Sequence, residues 1–453
     1  MSTTIPPTHP ASKPPPDAPV IELKEVGSAI RSRAHDIDID QGSKPSMAPT
    51  SPIPRSKFHL DTNKIRMLSA LYTATVLGLN DGSLGSQIPL IQQTYFGGNS
   101  KSGYGLASLI FLTNTVGYLL AAMCCGSLVL KIDLPRTLVI GAASYTVGYS
   151  FLSAAPPFGV LVFGYVFIGF GGGILNAGLS TYIASFDSTK RMSLFHSMYG
   201  VGAVIAPLIS IGFTDGHIKF NYYYMILLGL SVINIVQLYF SFRAYSQNAI
   251  TASATTVSPS MKATLKKKVV WITAVFLLMY VGAEITIGGW IVDYLTTVRH
   301  GEPGRMRYVA AGFWGGIALG RFLLAIPTVW LGEKLAVIIY LLVTIAAEFV
   351  VWFVPSLIPS AVMLGIIGFA LGPLFPASLS LVVHYLPVSY HATAIGFAVS
   401  FGFVGAATFP LMTGEIAGVR GVQVLEPIIV ALCVGMLCVW LFMPKDTKGA
   451  RED

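Results

Sequence analysis

The 453-residue chain is 53% apolar and only 11% charged, against about a quarter charged residues in an ordinary soluble domain. This excludes a soluble enzyme, and a net charge of +8 in so apolar a chain points to loops beside anionic lipid rather than to a nucleic-acid partner. The four cysteines, Cys124, Cys125, Cys433 and Cys438, show no zinc or haem spacing and no secretory disulfide framework. They read as packing residues, and neither a metal nor a cofactor is expected.

Residues 1–66 hold 11 of the 27 prolines together with many Ser and Thr, a composition that cannot bury enough apolar surface to offset chain entropy. The segment reads as a disordered cytosolic tail. The first long apolar run starts near Arg66, too late for a signal peptide. Twelve apolar segments follow, each long enough to cross roughly 30 Å of hydrocarbon. They fall at about 67–92, 104–130, 136–155, 158–186, 193–214, 222–245, 268–295, 307–331, 334–354, 357–386, 391–418 and 422–444. Orientation follows from Lys and Arg, which remain cytosolic in short loops. With both termini inside, inner segments carry 22 of the 29 basic residues, outer loops carry six, and Arg321 lies within a span.

An internal repeat organises these spans. Asp81-x3-Gly85 matches Glu284-x3-Gly288 at an offset of 203 residues, and Gly117-Tyr-Leu-Leu-Ala-Ala122 matches Gly320-Arg-Phe-Leu-Leu-Ala325 at the same offset. Gly202-Ala-Val-Ile-Ala-Pro207 likewise matches Gly405-Ala-Ala-Thr-Phe-Pro410, and Lys131 falls on Lys334. A constant register over three helix pairs implies two parallel six-helix halves. The expected division is a tail (1–66), a first half (67–245), a cytosolic linker (246–267), a second half (268–444) and a cytosolic C-terminal tail (445–453).

Two parallel six-helix repeats joined by a cytosolic loop resemble the major facilitator superfamily of secondary transporters. The runs Gly78-Leu-Asn80-Asp81-Gly-Ser-Leu-Gly85-Ser-Gln87-Ile-Pro89, His196-Ser-Met-Tyr199-Gly-Val-Gly202, Gly282-Ala-Glu284 with Gly289-Trp290 and Tyr294, and Trp314-Gly-Gly-Ile-Ala-Leu-Gly320-Arg321 narrow the resemblance to the fucose:proton-symporter-like branch. Fungal bypass-of-stop-codon-type members are the most similar within it. The resemblance implies an all-α, twelve-helix membrane fold and alternating access. Two departures stand out. The loop after the second span puts Leu130 where the superfamily carries an acid, beside Lys131, Asp133 and Arg136, which are the expected gating residues. The fifth span, with Ala206-Pro207-Leu-Ile-Ser-Ile211, lacks the paired glycines of drug antiporters.

Asp81 and Glu284 fall near the middle of equivalent spans, where an ionised carboxylate costs at least ~2.5 kcal/mol and is expected to meet a cavity, a partner or a proton. Asp81 is the expected carrier of a coupling proton, with Glu284 sharing that role or binding solute. Arg321, at similar depth, is placed either as a partner of Glu284 or as a residue snorkelling to the interface. Asn80 and Gln87, two turns apart on one helix, both donate and accept and suit hydroxyl groups. Asn176, Tyr199, Trp290, Tyr294 and Trp314 come from spans that line the cavity in the family, and with the two amides they fit a sugar-like solute. Glu348, on a peripheral span, reads as structural. The expected function is proton-coupled symport of a small polar solute, in contact with membrane lipid, at the plasma membrane. An uncoupled carrier, a drug or metabolite efflux antiporter and a non-transporting nutrient receptor remain as alternatives.

Overall fold

The computed structural model describes residues 62–97, 101–184, 186, 189–215, 219–245 and 261–444. The expected tail up to residue 61, the linker over 246–260 and the C-terminal tail lie outside the described residues. The described residues are almost wholly helical, as a chain in hydrocarbon must be when no water is present to satisfy its backbone. In chain order the elements are α1 (Thr62–Phe96), α2 (Lys101–Ser153), α3 (Phe158–Ala184), α4 (Thr189–Asp215), α5 (Asn221–Phe242), α6 (Met261–Leu265) and α7 (Lys268–Thr297). They continue with α8 (Pro303–Leu323), α9 (Ala325–Leu331), α10 (Glu333–Phe353), α11 (Leu357–Leu371), α12 (Leu374–Tyr385), α13 (Val388–Arg420), a 3-10 turn (Val422–Val424) and α14 (Leu425–Leu441).

Length and hydropathy mark nine of these helices as able to cross a membrane, or ten when α8 and α9, bent by 53° at their junction, count as one span. The other two follow from the sequence. α2 has 53 residues, or about 80 Å at 1.5 Å per residue, far more than one crossing needs. It breaks at Asp133, whose φ of 68° and ψ of 160° end one helix and start the next, with Pro135 just beyond. α1, 35 residues long, is left out of the nine by the polar residues it carries, Asn80, Asp81, Ser83, Ser86, Gln87 and Gln92 among them. With α11 and α12 forming one broken span, the total is twelve.

α1 begins at Thr62, so residues 62–66 belong to a helix and not to the tail in which composition placed them. Their polar turn is held from outside. The Arg66 Nε donates to the Ser241 carbonyl at 3.2 Å, and its guanidinium lies over the Tyr245 ring at 5.1 Å.

The repeat in the sequence is a repeat in packing. A Cβ added at Gly202 of α4 would overlap the carbonyl oxygen of Thr75 on α1, and one added at Gly405 of α13 would overlap that of Leu278 on α7. Thr75 and Leu278 are themselves 203 residues apart. Gly117 against the Val166 carbonyl and Gly320 against that of Phe369 repeat the relation between α2 and α3 and between α8 and α11. Small residues let helix backbones approach closely where lipid supplies no hydrophobic drive. The same glycines therefore fix the same helix pairs in both halves, around one continuous buried core.

Across the boundary between halves, α1 meets α7, α4 meets α8, and α2 meets α13. An even number of spans puts both ends of the bundle on one face, the terminal face. Toward the opposite face the halves are shut. Gly85 of α1 leaves no room for a Cβ beside the Gly288 carbonyl of α7, Gly289 lies on the Phe111 ring, and Gly414 of α13 lies on Ser108 and Trp290. Gln87, Gln92, Tyr104, Trp290, Asp293 and Arg307 are all buried at this level.

Candidate functional site

Glycines 78 and 82 draw α1 onto the α4 backbone at Tyr199 and Ala203, which brings Asp81 within reach of the Tyr199 phenol. Tyr199 donates to Asp81 Oδ2 at 2.7 Å, and Asn80 donates to Oδ1 at 2.9 Å. Tyr149, on the second limb of α2, donates to Asn80 Oδ1 at 3.2 Å and so fixes which way the amide points. Asp81 is held by neutral donors. Neither of the two ion pairs among the described residues involves it.

Glu284, the equivalent acid of the second half, has a cation instead. Arg321 Nη2 of α8 lies 3.2 Å from Glu284 Oε1, with side chains 23% and 9% exposed. Tyr280, one turn earlier on α7, interacts with both, and His196 of α4 interacts with Arg321. Tyr199 joins the two acids: besides bonding Asp81, it is electrostatically coupled to Glu284 and Arg321, and Asp81 feels Glu284 directly. The cluster thus draws residues from α1, α4, α7 and α8. Asp81 and Tyr199 are half-buried, while residues 82–88 of α1, beyond Asp81 toward the opposite face, are fully buried. Access to the cluster is therefore from the terminal side.

The remaining candidates divide. Gln87 donates to Ser210 at 2.9 Å, and its Oε1 and the Trp314 Nε1 are buried with no hydrogen-bond partner among the described residues. Both are equipped to meet a ligand group. Asn176 is half-buried on α3, with no hydrogen bond to the cluster among the described residues. Two candidates lie apart from the cluster. Trp290 is fully buried in the shut seam, its indole N–H donating to the Pro410 carbonyl at 3.1 Å and its ring 5.8 Å from Tyr104 and 6.0 Å from Phe111. Tyr294 points away from the seam into the second half, its ring under Arg299 at 5.5 Å and its hydroxyl 3.5 Å from the Val351 carbonyl. Neither has a hydrogen bond to the cluster among the described residues.

Lys131, Asp133 and Arg136 are exposed at the break in α2. Asp133 forms no ion pair with either, among the described residues. Its left-handed backbone is its evident role in this state.

Several neighbours of the cluster give no sequence signal. Tyr118 interacts with Asp81 and stacks on Phe403 at 4.4 Å across the seam; Tyr149 bonds Asn80, the donor to Asp81, and Tyr280 interacts with Glu284 and Arg321. Glu348 of α10 has a second acid beside it, Glu426 of α14, and both are buried. Among the described residues, no group of three or more His, Cys, Asp or Glu could hold a metal ion.

Comparison with known proteins agrees with this architecture. The chain is 26% identical over 426 residues to Bypass of stop codon protein 6 of Saccharomyces cerevisiae, covering 86% of this chain and 84% of that protein. It is 24% identical over 345 residues to a glucose/galactose transporter of Brucella abortus, covering 69% and 79%. Among solved structures, a D-xylose-proton symporter matches with a TM-score of 0.68 at 13% identity, covering 86% of this chain and 99% of the other. A variant of the E. coli fucose:proton symporter matches with a TM-score of 0.59 at 14% identity, covering 84% and 99%. The model of the Major Facilitator Superfamily matches residues 70–410. By twelve spans, repeated halves and a family match over most of its length, the chain belongs to the major facilitator superfamily of membrane transporters.

Proposed function

We propose that the protein is a proton-coupled symporter of a small, sugar-like solute, with Asp81 as the coupling residue. The observation that carries this is the unequal treatment of the two central acids. Glu284 is neutralised by Arg321 at 3.2 Å, whereas Asp81 meets only neutral donors, from Tyr199 and Asn80. An acid at membrane depth without a cation is the one able to take and give a proton as access alternates. The Glu284–Arg321 pair, together with the unbonded Gln87 Oε1 and Trp314 Nε1, offers donors and acceptors to hydroxyl groups. Tyr199 bonds Asp81 and is electrostatically coupled to the Glu284–Arg321 pair, so that occupancy of one part is felt by the other.

The solute class is supported by relatives named as glucose transporters in Brucella abortus and Bacillus subtilis, the latter 22% identical over 322 residues. Coupling is supported by the two solved proton symporters, which share this fold. The count of basic residues makes the terminal face cytosolic, and the plasma membrane is the proposed location.

The test is solute uptake into vesicles holding the purified chain, under an imposed pH gradient, across hexoses, deoxyhexoses and amino sugars. Symport predicts uptake that accumulates with the gradient and is lost in Asp81→Asn, while solute exchange without a gradient continues. Equilibration that ignores the gradient indicates an uncoupled carrier, gradient-driven export an antiporter, and binding without flux a receptor.

A further inference from the structure

We propose that Asp293 is a proton-binding residue of the seal at the face opposite the termini, and that its protonation state governs how readily that seal opens. The inference rests on alternating access, but not on what is carried or on whether protons drive it.

Asp293 lies nine residues beyond Glu284 on α7, outside the central cluster. It is 2% exposed, its Oδ2 has no hydrogen-bond partner among the described residues, and neither ion pair among them includes it. Tyr104 of α2 faces it from the other half of the protein, interacting with both Asp293 and Thr297. The Tyr104 ring in turn lies 5.8 Å from Trp290, one turn before Asp293. Asp293 is therefore buried by the meeting of the halves.

Among the described residues, the charged groups placed on the surrounding elements are engaged elsewhere or carry the same sign. Arg307 of α8 donates to the carbonyls of Pro303 at 3.1 Å and Ser86 at 3.5 Å. Arg299, after α7, donates to the carbonyls of Val351 and Trp352. Glu415 of α13 presents its carboxyl to Gly105, the neighbour of Tyr104. Glu348 of α10 and Glu426 of α14 face each other within the second half. At this level α1 supplies only the uncharged Ser86, Gln87 and Gln92.

A carboxylate buried with no cation beside it among the described residues opposes the closure that buries it, whereas a neutral carboxyl does not. When the halves part, water solvates either form. Closure is thus linked to proton uptake at Asp293, and opening to proton release toward the same face. Raising the pH at that face should open the seal, and lowering it should hold the seal shut.

The seal can be read at Ser108, fully buried against Gly414. In the full chain in lipid nanodiscs, Ser108→Cys is labelled with a maleimide and read at its own peptide, so the four native cysteines can stay. At each pH the rate is divided by that of the same protein carrying Asp293→Asn, which cancels the ionisation of the thiol itself. The expected result is a ratio that climbs about tenfold between roughly pH 5.5 and 8.5, a modest shift of a two-state equilibrium. Asp293→Glu, which keeps the acid, should restore a pH-dependent ratio. A ratio that stays flat with pH overturns the proposal, as does a parent whose residue 108 is never labelled. Should Asp293→Asn not fold, Asp293→Ser, which also removes the charge, takes its place in the denominator, and the ratio must still climb. Proton-driven uptake is measured in parallel. Its absence beside a climbing ratio refutes proton-coupled symport alone, and a flat ratio beside intact uptake refutes the seal alone.

Discussion

Gly85 offers a direct way to disturb the equilibrium between the two faces. A Cβ at this position would overlap the carbonyl oxygen of Gly288 across the seam and stand 3.5 Å from that of Gly289. Both obstacles are backbone, so no side chain can rotate away. Overpacking of this kind costs about 1–3 kcal/mol, and the cost falls on the shut conformation alone, because α1 and α7 separate at this level when the opposite face opens. At 1.4 kcal/mol per decade, Gly85→Ala should move the population toward the open state by roughly 5- to 150-fold. The assay is labelling of Ser108→Cys in nanodiscs, with Gly229→Ala, a site with open space around it, as the control. Gly85→Ala should label faster by a factor in that range and the control should match the parent. Equal rates for Gly85→Ala and the parent would refute the claim that α1 and α7 close on each other here.

Removing the Arg321 guanidinium leaves Glu284 buried and unpaired, so Arg321→Ala should lose about 3–5 kcal/mol, read as a drop in melting temperature. The reversed pair Glu284→Arg with Arg321→Glu should recover most of that stability, and no recovery would break the pairing argument. Tyr199→Phe removes one of two donors to Asp81 while keeping the ring, and a hydrogen bond to a charged group contributes about 1.5–3 kcal/mol. Gradient-driven uptake should fall by tenfold or more while exchange is less affected, and unchanged uptake would take Tyr199 out of the coupling path. Trp290→Phe should lower the melting temperature through lost packing and the lost bond to Pro410, yet leave solute affinity as it was. A weaker affinity at unchanged stability would return Trp290 to the solute site.

How much of the molecule is legible in its sequence depends on the kind of information a helix carries. Span positions follow from the length of apolar runs, and the register of 203 residues is enough by itself to name the pairs Gly202/Gly405 and Asp81/Glu284. Helix starts are harder to see, since the polar turn from Thr62 to Arg66 is held by contacts to α5 that composition cannot show. Depth in the membrane also follows from counting, which is why Arg321 and Glu284 emerge at one level. Rotation about the helix axis relative to a neighbour does not. At 100° per residue, Trp290 lies about 240° and Tyr294 about 280° around α7 from Glu284, so all three can share a span without sharing a cavity. Tyr118, Tyr149 and Tyr280 escape notice for the same reason, as an aromatic in an apolar helix reads alike whether it meets lipid, packing or a buried acid. Asp293, about 180° from Glu284 on the same scale, gains its meaning only from the half of the protein that closes over it.

The central claim is that Asp81, held by Tyr199 and Asn80 and lacking a cation, carries the proton that drives solute uptake. Uptake and exchange of the same sugar, measured in vesicles with the parent and Asp81→Asn, test it most directly. The account predicts that the parent accumulates solute in proportion to the imposed pH gradient, and that Asp81→Asn exchanges solute but no longer accumulates it. Gradient-driven accumulation by Asp81→Asn equal to that of the parent would contradict it.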